Sequence, residues 1–446
     1  MDRDGVAIGA LGHPGRAIVG PHGQVSPCGL PWSLDWWVHD GIRWRRAGRE
    51  VTVRQHLVDH APVVETALRG PGGDLACVAY AVAGGLAIVE VHNRTPAPVA
   101  VAFVVGAADG TAPAAIGTID WDGGRVVHVD DRPSLLFARP PARGAGRVAA
   151  DGDLLEMLTV DAAPWRTVRC PAGGAGAAFV FPLPRTTSAR ALVALDGAAF
   201  APAWNPGSAP GPGDVAHGWD RVVGAALAVD LPSARLGDAV ATCVRRLALA
   251  QDSHPPAAAV ATAARWGLAP GAPSAGDATV DGRAVPVPGR DDRSDVLATL
   301  ALAAEELSGG DLSSLRRLRS VLDGASSVWT WPSAGPIDDV LVVAAFLDVV
   351  RALVVRETDD GLVLCTAWPE EWGRGALDVR GVPTSAGRLS FSVRWHGARP
   401  ALLWELAPHD DSAGAQLRAP GLDPSWSTTD LRGEALLDAA PIESLT

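Results

Sequence analysis

The sequence predicts a multidomain α+β protein, with a large N-terminal β-sandwich, a short α-helical middle and a small C-terminal β-domain. Short alternating apolar runs separated by glycine and proline fill the first half of the chain. Apolar residues at helical spacing begin near Leu231, and alternation returns after Asp360. These changes of period place the domains at 1–230, 231–358 and 359–446, with a linker at about 270–292.

The first domain is predicted to be a β-meander that extends into a sandwich. Between Val51 and Val105 the runs are VTVRQHLVD, VVETALRG, LACVAYAVAG, LAIVEVHN and VAVAFVV, and similar runs continue to about residue 230. The segment NPGSAPGPGDVAHG, residues 205–218, is rich in glycine and proline. Its composition predicts a surface loop or hinge.

The helical middle is predicted from caps and from apolar spacing. Ser233 can cap a first helix, a weaker helix covers 256–267, and three better helices cover Ser294–Leu307, Leu312–Leu322 and Pro336–Arg356. The last of these contains VLVVAAFLDVV, which is apolar on every face. We therefore expect it to be a central helix, buried between the other helices and the C-terminal domain.

Composition excludes several classes of function. The net charge is −12, which argues against nucleic acid or an anionic membrane surface as a partner. All 38 basic residues other than histidine are arginines, so phosphate-binding lysine loops and lysine Schiff-base enzymes are excluded. No cofactor is predicted. The start of the chain has no apolar signal region, and the five cysteines are widely spaced, so we expect a cytoplasmic protein with reduced thiols.

One segment superficially resembles a metal-binding motif. HLVDH places His56 and His60 four residues apart, but it lies in a run of period two rather than in a helix. In a strand the two side chains would stand about 13 Å apart. No metal site is therefore predicted.

Tryptophans are the candidates for ligand contact. A flat ring with a polar N–H can stack on the C–H face of a sugar, while neighbouring Asp or Arg side chains bind the hydroxyl groups. The same rings also fill hydrophobic cores. The candidate substrate-binding residues are Trp36, Trp37, Trp329, Trp331 and Trp368.

Paired carboxylates are the candidates for catalysis, because glycoside hydrolysis needs one acid and one base on either side of the bond. The catalytic candidates are Asp338, Asp339, Glu370 and Glu371. Asp338 and Asp339 begin a helix directly after a tryptophan-rich turn, although stabilisation of the helix dipole explains them equally well. Adjacent acids are also commonly just solvated.

The order of these parts resembles the six-hairpin glycosidases, the group of glucoamylases, disaccharide phosphorylases and rhamnosidases. Residues 329–406 carry the strongest similarity, from WTWPSAG through the apolar helix to DDGLVLCTAWPEEWGRGALDVRGVPTSAGRLSFSVRWHGARPALLWEL. The resemblance implies a β-supersandwich, an (α/α)6 barrel and a closing β-domain. Twelve helices need roughly 200 residues, whereas Ser233 to Arg356 offers 124.

The shortened helical part leaves three functional hypotheses. The first is a catalytically degenerate glycosidase-like protein that binds a carbohydrate or a partner enzyme. The second is an active inverting glycosidase that uses the carboxylates named above. The third is a structural or assembly subunit, in which a protein partner or a second copy covers the incomplete helical layer.

Overall fold

The computed structural model describes residues 5–70, 72–108, 115–159, 165–195, 200, 206–224, 226–268, 293–309, 311, 313–331, 336–409 and 415–438. The predicted multidomain α+β class is confirmed, since antiparallel sheets occur in both halves of the chain and helices in its middle. The chain divides into two compact units, Met1–Gly218 and Trp219–Thr446. The three predicted domain boundaries stay a prediction, and the linker expected at 270–292 lies outside the described residues.

The first unit consists of two antiparallel sheets. In strand order, the first sheet is β1-β2-β3-β4-β10-β16-β14 with β5 on β4, and the second is β15-β11-β12-β13-β17-β9-β8-β7-β6. The strands are β1 Val6–Gly9, β2 Arg16–Val19, β3 Val25–Pro27, β4 Trp32–His39, β5 Trp44–Arg46, β6 Val53–Leu57, β7 Val63–Gly70, β8 Gly73–Val82, β9 Leu86–Asn93, β10 Val99–Ala107, β11 Thr118–Trp121, β12 Val126–Val129, β13 Arg132–Phe137, β14 Arg143–Arg147, β15 Thr167–Arg169, β16 Gly176–Leu183 and β17 Ser188–Ala194.

The two sheets pack face to face through aromatic rings. Phe103 and Phe181 of the first sheet lie 6.0 and 5.1 Å from Phe137 of the second, measured between ring centroids. All three rings are fully buried. Because side chains alternate along a strand, every second residue of β4, β10 and β16 joins this core, and the residues between them face outward.

Two helices of the described chain interrupt the part that was predicted to be all-β, α1 Leu154–Thr159 and α2 Pro212–Val223. The prediction of a loop over 205–218 is therefore wrong for its second half. Pro212 presets the backbone angle of a first helical turn, and Asp214 accepts a hydrogen bond from Gly211 N at 3.0 Å. These helix-start signals outweigh the glycine and proline content of the segment.

The second unit contains five helices and two sheets within its described residues. The helices are α3 Ala234–Ala250, α4 Ala257–Arg265, α5 Arg293–Gly309, α6 Ser313–Asp323 and α7 Pro336–Val354. The strands are β18 Ala228–Asp230, β19 Val355–Thr358, β20 Gly361–Leu364, β21 Leu377–Thr384, β22 Gly387–His396, β23 Arg399–Pro408, β24 Gln416–Ala419, β25 Asp423–Thr428 and β26 Arg432–Leu436. Their orders are β18-β21-β22-β23-β26 and β19-β20-β24-β25.

Helix α7 is the core of the second unit, as its apolar surface predicted. Val342, Phe346, Val350 and Leu353 are all fully buried, although they lie on more than one face. Helices α3, α4 and α5 pack on α7. No helix among the described residues is both long and apolar enough to cross a membrane.

Candidate functional site

Two of the predicted sugar-binding tryptophans are buried in hydrophobic cores. Trp36 is 1% exposed, and its Nε1 donates a hydrogen bond to the carbonyl oxygen of His22 at 3.0 Å. Trp331 is 2% exposed, and its Nε1 donates to the carbonyl oxygen of Val321 at 2.9 Å. Both rings therefore have the satisfied polar end that buried tryptophans usually show. Their role in binding stays a prediction.

Two others lie on the surface of the second unit and are only half-buried. Trp329 packs against its main core, with a left-handed φ of 57°. Trp368 meets Trp372 and Trp395 edge-on, with centroids 5.2 and 5.7 Å apart, and its Nε1 donates to the carbonyl oxygen of Gly373 at 2.9 Å. These contacts hold Trp368 in place by packing within the protein.

The predicted catalytic carboxylates fall into two groups. Glu370 and Glu371 form a 3-10 turn directly after Trp368, and both are exposed. Arg319 of α6 forms an ion pair with Glu371. Asp338 and Asp339 belong to the first turn of α7, but their side chains lie outside the described part of the structure. The structure thus brings Trp368, Glu370 and Glu371 together on one loop.

Trp37 differs from the other candidates, because it lines a cleft of about 410 Å³ on the outer face of the first sheet. Strand alternation produces this arrangement: Leu34 and Trp36 point into the sandwich, while Ser33, Asp35 and Trp37 of the same strand face the cleft. Polar side chains from other segments complete the wall, namely His22, Gln24, Arg46, Arg147 and Asp153.

A row of residues across four strands forms the floor of the cleft. Ser33 of β4 pairs with Gly106 of β10, and Gly176 of β16 pairs with Arg147 of β14. Val105 pairs with Ala177, so Gly106 and Gly176 stand side by side in the middle of the row. No described heavy atom lies within 4 Å of the position that a Cβ atom would take on Gly106. Gly106 therefore leaves a groove beside Ser33, while Arg147 Nε lies 3.6 Å from the corresponding Cβ position of Gly176.

Trp37 is held rigidly on the wall of the cleft. Its Nε1 donates to Asp35 Oδ2 at 2.7 Å, and the other carboxylate oxygen of Asp35 accepts from Trp36 N at 2.8 Å. The guanidinium carbon of Arg46 lies 4.1 Å from the centroid of the Trp37 ring, in a cation–π contact. Arg46 thus covers one face of the Trp37 ring. Leu154 and Leu158 of α1 belong to the apolar cluster on the same face of the sheet.

Asp153 also binds the guanidinium of Arg46. Arg46 Nη2 lies 2.7 Å from both carboxylate oxygens of Asp153. Burial raises the pKa of Asp153, but the hydrogen bond from Leu155 N and the guanidinium of Arg46 outweigh burial and hold the pKa below its usual value. Asp153 therefore stays ionised at neutral pH.

Several polar atoms around the cleft are buried and lack a partner. Gln24 Oε1, Arg46 Nε and Arg147 Nε make no hydrogen bond to the described residues. Leaving such an atom unsatisfied costs about 1–3 kcal/mol. A bound ligand with hydroxyl groups, together with small rotations of these long side chains, would remove that cost.

The described residues contain no group of three His, Cys, Asp or Glu side chains suited to a metal ion. His56 lies on β6, whereas His60 lies in a 3-10 turn with a positive φ, so the two histidines of HLVDH do not share one strand. The prediction that both stand on one strand is wrong, because the chain turns at Val58.

Sequence reasoning found Trp37 but did not group it with the other residues of the cleft. Its residues run from His22 to Gly176, and only the register of β4, β10, β16 and β14 brings them together. Alternation along β4 is the one signal that could have placed Ser33, Asp35 and Trp37 on the same face.

No protein-family model and no curated protein matches this sequence. Among solved structures, a bacterial glucoamylase complexed with acarbose is similar with a TM-score of 0.36 and 7% identity. The similarity covers 55% of this chain and 40% of the glucoamylase, so the chain spans less than half of that protein. A TM-score this low carries no argument about function.

Proposed function

We propose that this chain is a carbohydrate-binding, glycosidase-like protein and that the cleft beside Trp37 holds the sugar. The observation that carries the proposal is the groove beside Gly106, which is open above that glycine and walled by both hydrogen-bond donors and acceptors. Its volume of about 410 Å³ lies within the range of small-molecule sites.

The polar wall suits hydroxyl groups. A hydroxyl donates one hydrogen bond and accepts others, so it can serve a donor and an acceptor at once. The cleft offers donors in Arg46 and Arg147 and acceptors in Asp35 and Gln24. Trp37 contributes differently from the predicted stacking, because Arg46 occupies one ring face and the indole N–H orients Asp35.

The chemistry of the cleft favours binding over hydrolysis. An inverting glycosidase needs a carboxylic acid with a raised pKa beside a second carboxylate. The pKa of Asp153 is lowered instead, and both oxygens of Asp35 accept hydrogen bonds. Hydrolysis by Asp338, Asp339, Glu370 and Glu371 is the alternative against which this proposal has to be tested.

The test is calorimetric titration of the full chain with a panel of neutral and acidic oligosaccharides. Gly106→Leu should fold normally, because the new side chain enters open space, and should weaken binding at least about tenfold by filling the groove. Gly237→Leu is the matched control, since Gly237 of α3 also has no described heavy atom near its Cβ position but lies in the second unit. Its affinity should equal that of the wild type.

The proposal is rejected if no sugar binds, or if Gly106→Leu binds as the wild type does. Release of reducing sugar that disappears in Glu370→Gln or Glu371→Gln would favour the hydrolase alternative. Thermal unfolding of each variant separates a blocked groove from a damaged fold.

A further inference from the structure

We infer that the sugar in the cleft carries a carboxylate, as a hexuronate does, and that Arg147 binds this group; the inference rests on the proposed function. It starts from the charges that line the cleft. Arg46 and Asp153 neutralise each other through two contacts of 2.7 Å. Arg147 instead donates a hydrogen bond from Nη1 to the carbonyl oxygen of Gly152 at 2.8 Å, and this carbonyl group carries no net charge. None of the ion pairs among the described residues includes Arg147, although its charge acts on Asp153 at longer range and helps to lower the pKa of that carboxyl.

The geometry of Arg147 leaves one edge of its guanidinium for a ligand. Nη1 is fixed by Gly152, and Nε has no hydrogen-bond partner among the described residues. Nε and Nη2 together form a planar fork that matches the two oxygens of a carboxylate. Because Nε is buried over Gly176, we expect the side chain to turn this fork toward the cleft when the ligand binds, which exchanges the hydrogen bond to Gly152 for bonds to the carboxylate.

The position of Arg147 sets where the acidic group would lie. Ser33, Gly106, Gly176 and Arg147 occupy four adjacent strands of the floor, so Ser33 and Arg147 are three strand spacings, or about 14 Å, apart. The Arg147 side chain covers Gly176, with Nε 3.6 Å from the position that a Cβ atom would take there. A ligand that lies over Gly106 therefore reaches Arg147 with one end.

A carboxylate fits this charge balance better than a phosphate. A phosphate monoester carries a charge of about −1.5 to −2 at neutral pH, whereas a carboxylate carries −1. Arg147 supplies one positive charge, and the carboxylates of Asp35 and Asp153 line the same cleft. The extra charge of a phosphate would be repelled by Asp35, since Asp153 is already neutralised by Arg46.

The experiment titrates the full chain with pairs of oligosaccharides that differ only in whether one hexose is oxidised to its hexuronate, with a hexose 6-phosphate as a further probe. The acidic member should bind roughly tenfold or more tightly than the neutral member. This preference should shrink as salt is added, because the ion pair is partly screened.

Arg147→Gln should abolish the preference, so that both members of a pair bind equally. Arg139→Gln is the matched control, since Arg139 also donates to a backbone carbonyl, that of Pro182, in the same unit but outside the cleft. It should keep the full preference. Comparison of the thermal unfolding of the two variants shows whether loss of the hydrogen bond to Gly152 alone changes the fold.

The outcomes separate this inference from the proposed function. Equal binding of neutral and acidic members by the wild type, or an unchanged preference in Arg147→Gln, overturns the carboxylate assignment and leaves sugar binding intact. Tighter binding of the phosphate overturns it as well. If no member of any pair binds, the proposed function fails together with the inference.

Discussion

Two tryptophan-rich regions of this protein use the same residue type in opposite ways. On the outer face of the first sheet, Trp37 borders a cleft in which polar atoms of Gln24, Arg46 and Arg147 have no hydrogen-bond partner among the described residues. In the second unit, Trp368 packs edge-on against two other tryptophans and donates its N–H to a backbone oxygen within its own loop. The carboxylate beside it, Glu371, is paired with Arg319.

The difference shows that a cluster of aromatic and acidic residues in sequence does not by itself identify a binding site. What separates the two regions is whether the polar groups are already satisfied inside the protein. Among the described residues, Trp368 and Glu371 have partners and only the Nε1 of the neighbouring Trp395 lacks one, whereas three polar atoms around Trp37 lack partners. This difference is the reason why we propose ligand binding in the first unit and packing in the second.

The largest expected effect tests the packing role of the second unit. Phe346 of α7 is fully buried, with its ring 5.7 Å from that of Trp331. Phe346→Ala should lower the free energy of unfolding by about 3–5 kcal/mol, because it removes a large side chain and leaves a cavity. Chemical denaturation measures this loss. Leu302→Ala, at a position 44% exposed on α5, should lose less than about 1 kcal/mol.

A loss under about 1 kcal/mol for Phe346→Ala would show that α7 is peripheral and that the second unit is not organised around it. Trp331 would then not belong to a tightly packed core, and the packing role of tryptophans in the second unit would be contradicted.

A smaller effect separates the two tryptophans directly. Trp37→Phe keeps an aromatic ring but removes the N–H that holds Asp35 at 2.7 Å, so the affinity for the sugar should fall by about 1–2 kcal/mol, or roughly 5- to 30-fold. Trp368→Phe likewise removes the hydrogen bond to Gly373. It should leave the affinity unchanged, as measured by calorimetry with the same oligosaccharide. The opposite result would move the binding site to the second unit.

The fold was predictable where the signal is local. Helix α7 was expected at Pro336–Arg356 and ends at Val354. The cap expected for α3 is also present, since Leu236 N donates a hydrogen bond to Ser233 Oγ at 3.3 Å. Caps and apolar spacing are properties of a few neighbouring residues, so a single sequence contains them.

Longer-range pairing was not predictable in the same way. Asp348 and Arg351 stand three residues apart on α7, a spacing that allows two such side chains to pair. Instead, Asp348 binds Arg265 of α4 at 2.6 Å, and Arg351 binds Glu357 of β19 at 2.8 Å. Partners from other elements outcompete the local one because tertiary packing fixes their positions. The cleft was missed for the same reason, since strand register alone assembles it.

The smallest expected effect concerns the pH dependence of stability. It tests β5, the edge strand that supplies Arg46 to the cleft. Burial raises the pKa of Asp40, but hydrogen bonds from Arg43 N, Arg45 Nε and Ile42 N outweigh it and lower the pKa to about 2. An Asp carboxyl in the unfolded chain has a pKa of about 3.9. The stability that ionised Asp40 contributes is therefore fully present above about pH 4. It is lost as the pH falls toward about 2.

Asp40→Asn should therefore be less stable than the wild type at neutral pH, and this difference in the free energy of unfolding should narrow between about pH 4 and 2. The control is Asp131→Asn, the same substitution at an exposed turn of the same unit. Urea denaturation followed across this pH range by tryptophan fluorescence measures both variants. A gap that stays constant would mean that Asp40 does not hold the β4–β5 hairpin through its charge.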